Sequence, residues 1–176
     1  MRRILILVGL VLAAGLNCLA QETPCRRVAE PAGGFSMCAP EGWTVEAKEG
    51  EKYKMMIAPR AETFTPNINF KDEANSMPLA DYATASGKYA VENYEKIGAT
   101  SIRLVDRSDF VTSSKLAGIR VSFSVLYKGL VVRIIQYYFD AKKGQKVIVS
   151  CTGLEVEREK FDPIFDRAVR TFGLDQ

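Results

Sequence analysis

Histidine is absent from the 176 residues of this chain. A hydrolase with a Ser-His-Asp or Cys-His arrangement uses an imidazole as its base, and imidazole is the commonest metal ligand in proteins. Without histidine, no side chain has an unperturbed pKa near neutrality. The absence therefore removes the simplest mechanism of most enzyme classes.

Other chemical motifs are also missing. The chain has no Cys-x-x-Cys pair, and Gly33-Gly34 and Gly42 are not followed by the Lys-Ser/Thr of a phosphate-binding loop. After the first 20 residues, the strongly apolar segment Leu130–Phe139 is much shorter than the roughly 20 residues that a membrane helix needs. We therefore expect no cofactor, no metal site and no membrane-spanning helix in the folded part of the chain.

Neither basic nor acidic residues are in large excess, because the chain has 24 of the first and 21 of the second. A nucleic-acid-binding domain normally carries a concentrated basic face. The near-balance predicts that nucleic acid is not the partner.

The first 20 residues have the three parts of a bacterial-type signal sequence. Arg2 and Arg3 form a basic start, Ile4–Leu16 is apolar, and small residues follow. We expect residues 1–20 to be a signal sequence and residues 21–176 to form a single globular domain that is periplasmic or secreted.

Two cleavage sites compete at the end of this leader. Cys18-Leu19-Ala20 before Gln21 fits ordinary signal peptidase. Leu16-Asn17-Cys18 resembles a loosened lipobox, in which Cys18 would be lipidated, although Gly15 and Asn17 depart from the usual pattern. We favour ordinary cleavage because of that departure. In the other case the chain would reach the membrane only through its lipid.

Three cysteines, Cys25, Cys38 and Cys151, lie beyond the leader, in a compartment where disulfides persist. The turn-forming segment 30–34 (EPAGG) would fold its flanks into a hairpin and bring Cys25 near Cys38. We predict that bridge. The alternative is that Cys38 and Cys151 are buried strand residues that pair with each other or stay unpaired.

Periodicity and turn signals divide the domain into strands and two helices. Apolar and small residues recur at helical spacing from Leu79 to Ile97, after Pro78 and before Gly98, and again from Phe161 to Phe172 around Pro163. The remaining segments are rich in β-branched and aromatic residues between turns. They predict strands at Phe35–Ala39, Trp43–Ala47, Tyr53–Pro59, Asn67–Asp72, Ile119–Tyr127, Leu130–Asp140 and Lys146–Thr152, with a further strand from Ile102 onward. The fold class is α+β: an antiparallel sheet of about six or more strands covered by two main helices.

This order of elements resembles the fold shared by PsbP, Mog1 and DcrB. The resemblance covers nearly all of the chain beyond the leader. It depends on FSMCAPEGW at 35–43, NINF at 67–70, the helix around Tyr82 and Tyr89, the turns at Lys128-Gly129 and Lys143-Gly144, and the closing helix. It implies an α/β/α sandwich and a binding or assembly module, because members of that family share no catalytic residues that map onto this chain.

Carboxylates are the remaining candidates for chemistry. Asp72-Glu73 and the cluster Glu155, Glu157 and Glu159 would supply paired acids or a calcium site, but acids near a helix start usually are solvated or complement the helix dipole. We favour a solvated or dipole-complementing role for these acids over a catalytic or calcium-binding one.

Several residues are candidate contacts for a partner or ligand. Trp43 and the tyrosines Tyr82 and Tyr89 would stack on a ligand in a groove, or pack in the core. The basic cluster Lys142, Lys143 and Lys146, with Arg133 near it across the sheet, would face an anionic partner, or protect a hairpin tip.

These observations predict a non-enzymatic exported envelope protein that binds a protein partner or a small ligand. Two alternatives remain open: a lipid-anchored structural or chaperone-like lipoprotein, and a carboxylate-dependent enzyme that acts on glycans.

Overall fold

The computed structural model describes residues 25–142 and 144–175, so the leader, Cys18 and Lys143 lie outside the described residues. In chain order the elements are β1 Arg26–Glu30, β2 Phe35–Ala39, β3 Thr44–Glu46, β4 Met55–Ile57, β5 Asn67–Ala74, α1 Leu79–Lys96, β6 Thr100–Val111, β7 Ala117–Tyr127, β8 Leu130–Asp140, β9 Gln145–Leu154, a 3-10 turn Glu155–Glu157, α2 Arg158–Arg170 and β10 Gly173–Leu174. Neither helix in this part of the chain is long and apolar enough to cross a membrane.

A seven-stranded antiparallel sheet forms the centre, in the order β3-β4-β5-β9-β8-β7-β6. A small sheet, β1-β2-β10, lies on one side of it. The turns follow local sequence: Lys128 and Gly129 both have positive φ (50° and 80°), the geometry of a type I′ hairpin that joins β7 to β8. Gly98, at φ 86°, ends α1.

Two cores lie on opposite faces of the large sheet. On one face α1 contributes Tyr82 and Ala83, which pack with β7 residues such as Phe123. On the other face α2 contributes Phe165 and packs with the small sheet and with β8 and β9. β8 is therefore covered on both sides, as its apolar sequence predicts. The α+β class and the α/β/α layers are confirmed.

The predicted Cys25–Cys38 disulfide is present, with the two Cα atoms 5.5 Å apart. It closes the β1–β2 hairpin, in which Arg27 lies opposite Cys38. Cys151 is buried on β9 without a disulfide partner among the described residues. The alternative Cys38–Cys151 bridge is wrong, because the β1–β2 hairpin brings Cys38 to Cys25, while Cys151 is the buried strand residue that this alternative also expected.

Pro163 lies inside α2, which begins five residues earlier at Arg158. The two-residue strand β10 follows α2 and pairs with β2. The sequence pattern does not predict this strand.

Candidate functional site

The predicted aromatic contacts lie in three different environments. Trp43 is 5% exposed and meets the rings of Phe161 and Phe165 edge-on, at centroid distances of 6.4 and 6.0 Å. Tyr82 is 2% exposed on the opposite face of the sheet, edge-on to Tyr138. Tyr89 is 57% exposed on α1. Burial supports a packing role for Trp43 and Tyr82, and only Tyr89 is on the surface.

The predicted basic cluster does not assemble as expected. Lys146 is buried, forms an ion pair with Asp140, and holds its ammonium 5.9 Å from the ring centre of Tyr82. Arg133 lies opposite Gly153, at the far end of β8 from the hairpin tip. Lys142 is exposed at that tip, and Lys143 lies outside the described residues. The inclusion of Lys146 and Arg133 was wrong, because strand register separates Arg133 from the tip and Asp140 engages Lys146.

The predicted acidic sites are ion pairs or isolated side chains. Asp72 accepts hydrogen bonds from Lys52 and Gln145. Burial acts to raise the pKa of Asp72, but its hydrogen bonds and the charge of Lys52 together outweigh burial and lower that pKa. Glu155 lies 3.5 Å from Arg133. Within residues 25–142 and 144–175, no group of three acids and cysteines is arranged to hold a metal ion.

The largest polar feature is a carboxylate–arginine network between the sheet and α2. Asp162 and Asp166 are four residues apart and so share one helix face. Arg133 on β8 binds Asp162 through Nη2 at 2.8 Å, and Arg120 on β7 binds Asp166 through Nε at 3.1 Å. The Tyr137 hydroxyl also donates to Asp166. We call these five residues the α2 network.

Each carboxylate of the α2 network is engaged by an arginine. Glycosidases instead keep one acid protonated beside a carboxylate that is free to act as base or nucleophile. The α2 network therefore has the chemistry of a structural anchor that fixes α2 on the sheet.

The position of α2 leaves part of the sheet uncovered. The Phe165 ring lies against Gly153 on β9, and Asp162 lies over Arg133 on β8. Beyond them, β6 is exposed along nearly its whole length. Register places Arg103 of β6 opposite Ser124 of β7, which in turn lies opposite Arg133. This end of the sheet is uncovered on the α2 side.

An open groove of about 510 Å³ lies at that end, and we call it the β6–β8 groove. Leu126 and Val131 give it an apolar floor, and Val131 is 45% exposed. Arg103 is exposed at its side and forms no ion pair with the described residues. The complete lining is Ser101, Ile102, Arg103, Ser124, Leu126 and Val131.

The groove combines apolar surface, the Ser124 hydroxyl and a free guanidinium. A few polar groups on an apolar wall are typical of ligand sites, which usually measure about 300–1,000 Å³. Arginine recognises planar anions such as carboxylates through paired hydrogen bonds. The arrangement suits a partner segment or small molecule with an apolar part and an anionic group.

The sequence pattern did not predict the β6–β8 groove or the α2 network. One signal was available: β7 alternates apolar residues such as Val121 and Phe123 with polar Arg120, Ser122 and Ser124. This alternation marks one face of β7 as polar. The spacing of Asp162 and Asp166 was a second signal.

Comparison with known proteins identifies the fold. No protein-family model matches the sequence, and no curated protein matches it. Among solved structures, the cyanobacterial PsbP (CyanoP) of Synechocystis aligns with a TM-score of 0.65 and 14% identity over 95% of this chain and 98% of that chain.

Two further structures support the same assignment. LpqN of Mycobacterium tuberculosis, described as involved in cell envelope biogenesis, aligns with a TM-score of 0.59 and 10% identity over 89% of this chain and 88% of its own. The Ran-binding protein Mog1p of Saccharomyces cerevisiae aligns with a TM-score of 0.56 and 11% identity over 86% and 95%. At these identities the likeness defines the fold alone.

Proposed function

We propose that this chain, which has the PsbP/Mog1-like fold, is an exported, non-catalytic binding module of the cell envelope, and that the β6–β8 groove is its binding site. The observation that carries the proposal is the free Arg103 beside the apolar floor of Leu126 and Val131. A partner protein with an apolar and acidic segment would satisfy both parts of this surface.

Three observations support a non-catalytic role outside the cytosol. The chain has no histidine, and the carboxylates of the α2 network are held by arginines. The leader pattern and the Cys25–Cys38 disulfide fit an oxidising compartment. One structural neighbour is described as involved in cell envelope biogenesis and another as a Ran-binding protein, which supports a binding role by analogy of fold.

Site-specific photocrosslinking in intact cells tests the groove. A photoreactive residue at Leu126 should capture one partner, and the same residue at exposed Tyr89 on α1 serves as the matched control. Arg103→Glu should abolish capture at Leu126, because it puts an acid where the partner's anion would bind. Equal capture at both positions, or capture that survives Arg103→Glu, would contradict the proposal.

A small ligand is the second candidate, because the groove volume falls in the range of small-molecule sites. Native mass spectrometry of the purified chain should then show an added mass that Arg103→Glu removes. Turnover of a substrate that depends on Asp162 or Asp166 would instead establish a carboxylate enzyme.

Attachment to the membrane is tested separately. If the chain is a lipid-anchored structural or chaperone-like lipoprotein, palmitate labelling should disappear in Cys18→Ala. If ordinary cleavage occurs, mass spectrometry should find Gln21 at the N-terminus and no label.

A further inference from the structure

β6 is a long edge strand of the large sheet. It has 12 residues, whereas β3 at the other edge has three. No strand among the described residues pairs with the outer side of β6, where Arg170 donates to the Val111 carbonyl and an irregularity in register lies between Leu104 and Asp106. Leu104 and Val105 are 57% and 41% exposed. An open edge of this length is a template for pairing with another strand.

The hairpin to β7 determines which backbone groups point outward. The Thr112 N–H donates to the Leu116 carbonyl at 3.0 Å, so these two residues form a hydrogen-bonded pair. Hydrogen-bonded and non-hydrogen-bonded pairs alternate along antiparallel strands. The backbone groups of Phe110, Ser108 and Asp106 therefore bond to β7. Those of Arg107, Asp109 and Val111 point away from β7. The Arg170 Nη1 atom donates to the Val111 carbonyl oxygen at 3.2 Å, as expected if this carbonyl points away from β7.

The free part of the edge is thus centred between Arg107 and Asp109. Both side chains are exposed and lie on the α1 face, because they are opposite Val121 and Ile119, which belong to the core under α1. The Arg107 guanidinium is held there by hydrogen bonds to Thr84 Oγ1 and to the Ala80 carbonyl. Asp109 has no ion-pair partner among the described residues.

A second copy of β6 complements this edge in one register. Two copies related by a two-fold axis perpendicular to the sheet pair antiparallel, with residues of the same face opposite each other. An axis at Arg107 would oppose two arginines, and an axis at Asp109 would oppose two aspartates. An axis at Ser108 places Arg107 opposite Asp109 twice, which is the favourable arrangement for cross-strand charges.

We infer that the chain forms a homodimer in which two β6 strands pair antiparallel about Ser108. Each Arg107–Asp109 pair exchanges its two backbone hydrogen bonds and forms an ion pair. By the same count Val105 of one copy comes opposite Val111 of the other, beside the irregularity of β6 and the Arg170 contact, and these two side chains are 41% and 46% exposed in the single chain. The large sheet then continues through both copies.

The symmetry has a consequence for binding. An axis perpendicular to the sheet leaves α2 of both copies on the same side, so the two β6–β8 grooves open in one direction. A dimer would therefore engage two sites on one partner or surface, with a gain in avidity. The dimer forms through β6 whichever ligand the groove binds.

Sedimentation velocity of the purified chain over a wide concentration range tests the dimer. The wild type should show a reversible monomer–dimer equilibrium. Asp109→Arg should raise the dissociation constant about tenfold or more, because both symmetry-related pairs become repulsive. Glu41→Arg makes the same charge change at an exposed turn remote from β6 and should leave the equilibrium unchanged.

A charge exchange distinguishes this register from a general effect of charge. Arg107→Asp should also weaken the dimer, but an equimolar mixture of Arg107→Asp and Asp109→Arg chains should form heterodimers, since acids of one copy then face arginines of the other. Far-ultraviolet circular dichroism confirms that each variant is folded.

A monomeric wild type at every concentration, or a dimer that Asp109→Arg does not weaken, would overturn the inference. Arg103→Glu should leave the dimer intact, so failure of the groove and failure of the dimer are separable.

Discussion

Arg120 on β7 and Asp166 on α2 are joined across the helix–sheet interface, with Nε 3.1 Å from Oδ1. Their side chains are 12% and 36% exposed, so solvent screens the pair only in part. Because the Tyr137 hydroxyl shares the same carboxylate, Asp166 ties two strands to the helix. The uncovered sheet beside α2, and hence the β6–β8 groove, depends on where these contacts hold the helix.

Asp166→Ala should destabilise the protein by roughly 1–3 kcal/mol, because it removes the acceptor of the Tyr137 hydroxyl and leaves Arg120 only its longer contacts to Asp106 and Asp162, at 3.4 and 3.6 Å. Urea unfolding measures the change. Glu159→Ala, at an exposed position of the same helix, is the control and should change stability by less than about 0.5 kcal/mol. Equal effects of the two variants would show that the α2 network does not anchor α2.

The Cys25–Cys38 disulfide should contribute about 2–4 kcal/mol to stability, because it closes a short loop in the unfolded chain. Cys25→Ser should therefore lower the melting temperature. Reductant should lower the melting temperature of the wild type by a similar amount and have no further effect on Cys25→Ser. A melting temperature that does not respond to reductant would contradict this assignment.

The Cys151 thiol should be unreactive in the folded protein. Burial raises its pKa well above the usual 9.0, and Asp166 acts in the same direction, so the thiolate that reacts with alkylating agents is not populated. Peptide mass spectrometry after iodoacetamide treatment should find Cys151 unmodified at pH 8 under native conditions and modified in denaturant.

The raised pKa of Cys151 also makes the stability of the protein depend on pH. The unfolded chain releases the Cys151 proton at a lower pH than the folded chain does, so the thiol's contribution is complete below the usual pKa and declines as the pH rises above it. Urea unfolding at alkaline pH should show this decline, and Cys151→Ala should remove that part of it.

Two glycines should respond in opposite directions to the same substitution. A Cβ on Gly118 would lie 2.4 Å from the Phe139 ring and 2.9 Å from the Tyr138 carbonyl oxygen, so Gly118→Ala should cost about 1–3 kcal/mol. Gly87 lies inside α1, and a Cβ there would be 3.6 Å from Phe123. Gly87→Ala should stabilise by about 0.5–1 kcal/mol, since alanine favours the helix. Thermal unfolding measures both variants, and destabilisation by Gly87→Ala would contradict the α1 packing.

Local patterns were sufficient to predict much of the fold. Helical spacing from Leu79 to Ile97 gave α1 nearly to its ends, and the Lys128-Gly129 turn gave the β7–β8 hairpin. The turn at 30–34 was enough to predict the disulfide between Cys25 and Cys38. These features depend on interactions between residues that are near each other in the chain.

The candidate site could not be predicted in the same way. Trp43 and Tyr82 are chemically suited to bind a ligand, but they became core residues because α2 and α1 cover them. The place of Arg103 in a groove follows from its register with Ser124 and from the position of α2, which among the described residues does not reach over β6.

The sequence by itself determined the identity of most strands and of both helices, the two-layered burial of β8 and the lack of imidazole chemistry, because period, turn residues and composition act locally. Only the tertiary structure decided which strand lies at the edge, which charges meet and which surface stays open. Those outcomes depend on sheet order and on the position of α2, where Arg120 and Asp166 are 46 residues apart in the chain and 3.1 Å apart in space.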